Sequence, residues 1–198
     1  VPVPIVHRDS LTNVRTTTET LPGLTLTSLF LDAPLDHADP AAGSIEVFAR
    51  VVTGDGGADK PYLVFLQGGP GHEAPRPSLP GTPPWLPRVL SDYQVVMLDQ
   101  RGTGRSTPVS SLESIPGVDA AAQTRYLSHL RADEIVNDAE LVREALGAKT
   151  WTVLGQSFGG FTTLHYLSTH ADSLAGALLT GGLSAVRHSA DDVYAATW

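Results

Sequence analysis

Cysteine is absent from this chain of 198 residues. That excludes disulfides, thiolate zinc sites and cysteine nucleophiles, and it fits any compartment. Lysine is nearly absent too, occurring only at positions 60 and 149, and there is no Lys/Arg block. Thirteen basic residues against 21 acidic ones give a formal charge of −8. The basic face that a nucleic-acid partner requires is therefore missing. No run reaches the ~18 apolar residues of a membrane span, so no membrane partner is expected. The opening residues, VPVPIVHRDSLTNVRTTTE, lack the basic-then-apolar order of a signal peptide. They also lack an initiating Met, so the numbering can begin inside a longer precursor. The cytoplasm is the default location.

What is present is hydrophobic residues at 41%, enough for one domain with a substantial core. Residues 1–23 are polar and Thr-rich and read as an arm. Residues 24–37 and 43–52 alternate apolar and polar positions, the pattern of half-buried strands. YLVFLQGGPG (62–71) and YQVVMLDQRGTGRS (93–106) differ: each is a short continuous apolar run that ends in glycines, as in strands buried on both faces. Ile135, Ala139, Val142 and Leu146 fall at helical spacing within 131–148, with Asp133 as a cap and Gly147 as a stop. A strand over 149–155, a helix from Phe158 to about His170 and a buried strand over 174–182 follow. The last residues begin another helix. This order predicts an α/β sheet, antiparallel at its start and parallel afterwards. Ligands in such sheets bind beyond the carboxyl ends of the strands. Three Gly-rich turns lie there: QGGPG, DQRGTGRS and GQSFGG.

GQSFGG (155–160) fits G-x-S-x-G in the required setting of strand, tight turn and helix. A nucleophilic hydroxyl must project from a turn too sharp for side chains on its neighbours. Gly155 and Gly159 leave that room, which makes Ser157 the candidate nucleophile. The helix that follows aims its first N–H groups at developing negative charge, with Phe158 N–H as one oxyanion donor. A second donor comes from the loop after an earlier strand. In QGGPG that is Gly69, with Gly68 the runner-up; Pro70 has no N–H. Asp99, Arg101 and Arg105 are expected to form an ion-pair and hydrogen-bond network that braces the DQRGTGRS turn. The alternatives for GQSFGG are an ordinary turn with a capping serine, or a phosphate loop. The latter lacks its lysine. No metal and no cofactor is implied.

Serine attack at neutral pH needs a histidine held by a carboxylate. His165 and His170 lie along the helix after Ser157 and point away or end too far off. His7, His37 and His129 have no catalytic context. His72 adjoins QGGPG and can line a pocket. His188 precedes only one short helix, and Asp191 and Asp192 read as helix-start residues. The activating pair is not evident.

Together the three turns resemble the prolyl aminopeptidase (proline iminopeptidase) family of α/β-hydrolase serine peptidases. That family pairs an H-G-G-P-G loop with D-Q-R-G-x-G-R-S and G-x-S-x-G-G turns, and its longer bacterial members share GQSFGG and an A-P-R-P run like residues 74–77. The resemblance implies an α/β-hydrolase fold, a mostly parallel sheet with an antiparallel start, of which this chain holds the N-terminal half. Residues 24–185 would be core and 186–198 the start of a helical cap insertion. It further implies a serine exopeptidase that releases an N-terminal residue, proline foremost, from a peptide with a free N-terminus through an acyl-enzyme on Ser157. The triad Asp and His, and the cap that binds the substrate ammonium, would belong to a C-terminal half outside this chain. Gln67 stands where the family has His. Glu73, beside QGGPG, is a candidate for the substrate ammonium. An esterase, an amidase, a tripeptide-releasing exopeptidase, or an inactive fragment lacking the triad Asp and His remain as alternatives.

Overall fold

The computed structural model describes residues 12–79, 81–182 and 189–195. Seven strands form one sheet: β1 (Thr12–Leu21), β2 (Leu24–Pro34), β3 (Ser44–Gly54), β4 (Tyr62–Leu66), β5 (Gln94–Leu98), β6 (Trp151–Gln156) and β7 (Leu174–Thr180). Their order across the sheet is β1-β2-β3-β5-β4-β6-β7. The pairs β1–β2, β2–β3 and β3–β5 are antiparallel, and β5–β4, β4–β6 and β6–β7 are parallel. The antiparallel start and parallel continuation are as the residue patterns predict.

The central strands are apolar throughout because both of their faces are covered. Val64, Leu66, Val96 and Leu98 point to one side, where they meet Val136, Ala139 and Val142 of helix α3 (Ala132–Ala145) and Tyr166 of helix α4 (Phe158–Thr169). Leu63, Phe65, Val95 and Met97 point to the other and pack with Leu86 and Leu90 of α1 (Leu86–Leu90) and with Trp85. Successive residues of a strand face opposite ways, so a continuous apolar run serves two cores at once.

Three details differ from the expectations above. The supposed arm is β1 from Thr12 onward, so the boundary at residue 23 does not hold there; residues 1–11 lie outside the described residues. As an edge strand exposed along nearly its whole length, β1 carries no apolar alternation to betray it. Strand β7, expected to be buried, stands at the opposite edge with Leu178 and Leu179 exposed. Helix α2 (Ala120–Leu127) precedes α3, and the Asp119 carboxylate caps it by accepting the Ala122 N–H. Asp133 is not the cap of α3: that position is Arg131, and Asp133 pairs with its guanidinium from inside the first turn. Gly147 does end α3, in the left-handed conformation at φ +66°. Helix α5 (Ala190–Ala195) completes the described chain, and Asp192 accepts from Ser189 at its start. Among the described residues no helix is long and apolar enough to cross a membrane.

Candidate active site

Because β4, β5 and β6 run in parallel, the three Gly-rich turns emerge along a single edge of the sheet. Ser157 sits between β6 and α4 at φ 55° and ψ −115°. This is a left-handed region that a residue with a Cβ enters only at a cost of about 1–3 kcal/mol. The surroundings hold it there. Its N–H donates to the Thr180 carbonyl at 2.8 Å, and its carbonyl accepts from the N–H groups of Gly160 and Phe161. The side chain is exposed at the top of the turn.

The flanking glycines are required by contact. A Cβ on Gly155 would stand 2.3 Å from both the Gly159 carbonyl oxygen and Thr163 Oγ1, and one on Gly159 would stand 1.9 Å from the Leu66 carbonyl oxygen. Strand β6, helix α4 and the end of β4 thus meet with no space for a side chain at Gly155 or Gly159, while Ser157 is exposed. Phe158 N–H, at the first position of α4, donates to no backbone acceptor among the described residues.

The QGGPG loop leans on this turn. A Cβ on Gly68 would meet both the Gln156 carbonyl and Ser157 Cβ at 3.0 Å. Gln67 folds back so that its Oε1 accepts the Gly68 N–H at 3.1 Å, while its carbonyl accepts from Gln100 Nε2 at 2.9 Å. Gly68 N–H is therefore engaged, whereas Gly69 N–H has no backbone acceptor among the described residues. That difference favours Gly69 over Gly68 as the candidate second donor. Beside them is a cavity of about 270 Å³ walled by Pro70, Val109, Leu130, Ile135 and Phe158, with Gln100 at its polar side.

Asp99, Arg101 and Arg105 brace this edge; the Arg105 backbone bonds Asp99, but no ion pair joins the three side chains. Asp99, fully buried, accepts from Arg76 through both oxygens, from Ala74 N–H at 3.1 Å and from Arg105 N–H at 2.9 Å. It thereby ties the loop after β4 to the turn after β5. Arg101 reaches the other way. Its guanidinium donates twice to Asp138 of α3, at 2.8 and 2.6 Å, and to the carbonyls of Pro34, Leu35 and His129. Arg105 lays its guanidinium over the Phe48 ring. The sequence placed these charges on one turn; their partners come from segments 23 and 37 residues away.

Glu73 is exposed, and its Cβ lies against Gly104. It adds to the field that raises the pKa of Arg76, after the larger effect of the hydrogen bond to Asp99. An adjacent guanidinium makes Glu73 a poorer partner for a substrate ammonium.

Among the described residues no histidine hydrogen-bonds to Ser157. His37 lies 2.9 Å from Asp138, and His170 bonds Thr169 and meets Tyr166 edge-on. His72 lies against Gly69, with Cδ2 3.2 Å from where a Gly69 Cβ would be. His7 and His188 fall outside the described residues. Asp36, His129 and Glu134 bring one possible ligand atom each within 4.8 Å of one another. The Arg101 guanidinium, 3.6 Å from Glu134, already supplies positive charge to that cluster.

A strained serine stands between a parallel strand and a helix, with the N–H groups of Phe158 and Gly69 free of backbone acceptors among the described residues; this is the geometry that a nucleophile elbow requires. The chain belongs to the alpha/beta hydrolase fold family, whose model matches residues 61–197. Within it, the chain is 48% identical over 173 residues to a proline iminopeptidase of Aeromonas sobria, covering 85% of this chain and 40% of that enzyme. The chain thus spans well under half the length of this relative. Among solved structures, a proline iminopeptidase-related protein of Thermus thermophilus matches with a TM-score of 0.50 at 22% identity over 85% of this chain and 45% of that one. An esterase of Exiguobacterium antarcticum matches with a TM-score of 0.51 at 21% identity, over 75% and 46%. These two likenesses concern the fold alone.

Proposed function

We propose that the intact protein is a serine exopeptidase that releases an N-terminal residue, proline foremost, from peptides. The observation that carries this reading is Ser157 held at φ 55° between glycines that tolerate no Cβ, with the N–H groups of Phe158 and Gly69 unengaged beside it. Similarity to the Aeromonas sobria proline iminopeptidase supports the choice of substrate.

In this mechanism Ser157 Oγ forms a bond to the scissile carbonyl carbon as its proton passes to a histidine base. The carbonyl oxygen takes up the negative charge and is held by Phe158 N–H and Gly69 N–H. Collapse of the tetrahedral intermediate breaks the C–N bond, and the histidine gives its proton to the leaving amine. Water then gives a proton to the histidine and bonds to the acyl carbon, the C–Oγ bond breaks, and the proton returns to Ser157 as the free acid leaves. The histidine and its carboxylate come from outside the described residues, in a further part of the protein, and α5 begins the cap insertion that covers the site. The apolar wall of Pro70, Val109, Leu130 and Phe158 suits a pyrrolidine ring.

The test is hydrolysis of a proline arylamide by the intact protein, compared with its N-acetylated form and with a simple ester. Cleavage of the free-amine substrate alone is expected. Equal or better cleavage of the acetylated amide or the ester would replace the exopeptidase by an amidase or esterase.

A further inference from the structure

Three arginines surround one aromatic ring at the same sheet edge. The guanidinium carbons of Arg50, Arg76 and Arg105 lie 5.6, 5.2 and 5.1 Å from the centroid of Phe48, which is itself fully buried. Such stacking favours each cation singly, but three like charges on one ring repel. Only Arg76 has a carboxylate partner, Asp99. The guanidinium groups of Arg50 and Arg105 make no hydrogen bond and no ion pair among the described residues. Arg50 Nε is shut off from solvent without an acceptor. Burial, followed by the fields of Arg76 and Arg105, lowers the pKa of Arg50. Glu19 and Glu73 act in this region through space but accept no hydrogen bond from these side chains. The partly buried Arg50, apart from its enclosed Nε, and the exposed Arg105 thus present up to nine N–H donors that no protein group among the described residues engages.

The cluster is built into the site. Asp99 anchors Arg76; the next residue, Gln100, holds the Gln67 carbonyl; and Gly68 after it lies where an added Cβ would come within 3.0 Å of Ser157 Cβ. A planar guanidinium fork matches a carboxylate in charge and shape. We propose that Arg50, Arg76 and Arg105 form a carboxylate subsite that holds the C-terminus of a short peptide whose N-terminal residue lies at Ser157, resting on the exopeptidase reading above. The subsite makes the protein selective for small peptides. Each added residue extends a peptide by roughly 3.5 Å, so a single length bridges the two points best.

The experiment uses the intact protein with proline followed by one to four alanines, each as the free acid and as the C-terminal amide, alongside a proline arylamide. At one length the free acid is expected to have a KM about tenfold below its amide, the size of one charge-assisted hydrogen bond. Arg50→Gln and, separately, Arg105→Gln reduce that difference to about twofold or less, with the amides cleaved as before. Acids and amides alike at every length would overturn the subsite, as would a preference that survives both substitutions. Wild-type protein decides the first point even where a variant does not fold. Failure to cleave the arylamide as well would sink the exopeptidase reading itself, and the subsite with it.

Discussion

Gly159 approaches Leu66 so closely that a Cβ on the glycine would lie 1.9 Å from the leucine carbonyl oxygen. Backbone cannot yield there without separating α4 from β4. Gly159→Ala is therefore expected to destabilise the fold by about 3 kcal/mol or more, the upper range for overpacking. Gly81→Ala, where a Cβ meets nothing within 4 Å, should stay within about 0.5 kcal/mol of wild type. Denaturant melts of both variants make the comparison, and equal stabilities would refute the steric argument.

Substitutions of Ser157 are expected to separate activity from stability. Ser157→Ala keeps the Cβ and the strained backbone, so the melting temperature should hardly move while turnover by the intact protein falls by about 10⁴-fold or more. Ser157→Gly should lose turnover equally yet be at least as stable as the alanine variant, because glycine enters φ 55° without strain. A Ser157→Ala protein that retains activity would remove the serine from the chemistry.

Arg101 and Asp138 are both buried, with side chains 0% and 1% exposed. Asp138→Ala leaves a guanidinium inside the protein without its main carboxylate. Breaking such a pair costs about 3–5 kcal/mol, although an apolar replacement of both partners can cost little. A single substitution should thus lower thermal stability markedly, and Arg101→Met/Asp138→Leu together should recover part of it. A double variant weaker than the sum of the singles would contradict this.

Glu140 contributes a pH dependence to the stability. Burial pushes its pKa up, but hydrogen bonds from Arg143, Tyr166 and Ser173 outweigh that and bring it below the ordinary value. A depressed folded pKa means that the unfolded chain binds the proton more readily. The contribution is complete above the usual glutamate value of about 4.3 and is lost as the pH falls through the lower folded value. Melts between pH 3 and 6 are expected to show wild type losing stability on acidification more steeply than Glu140→Gln. Parallel pH curves would assign the effect elsewhere.

Much of this could be read from residue order alone. Continuous apolar runs ending in glycine marked β4 and β5, and the paired glycines around Ser157 marked a tight strand-to-helix turn, because local sterics dictate both. The ion pairs could not be read. Asp99 bonds Arg76 and Arg101 bonds Asp138 because the fold brings separate segments together, whereas sequence proximity suggested Asp99, Arg101 and Arg105 as mutual partners. Strand β1 escaped because a solvent-washed edge needs no apolar face. The arginines around Phe48 escaped for the same reason as the ion pairs: residues 48, 50, 76 and 105 come from three separate segments and share no local pattern.

The elbow is gripped from both sides. Gly159 abuts the end of β4, while a Cβ on Gly160 would meet Gly182, just beyond β7, at 2.7 Å, and Thr180 of β7 accepts the Ser157 N–H. The six residues GQSFGG are consequently not a portable part. Moved onto another strand–helix junction, they would carry the serine and its glycines but neither flanking strand end, and the left-handed turn would relax. What an engineer must transplant, and what duplication or recombination must inherit whole, is the three-strand frame of β4, β6 and β7.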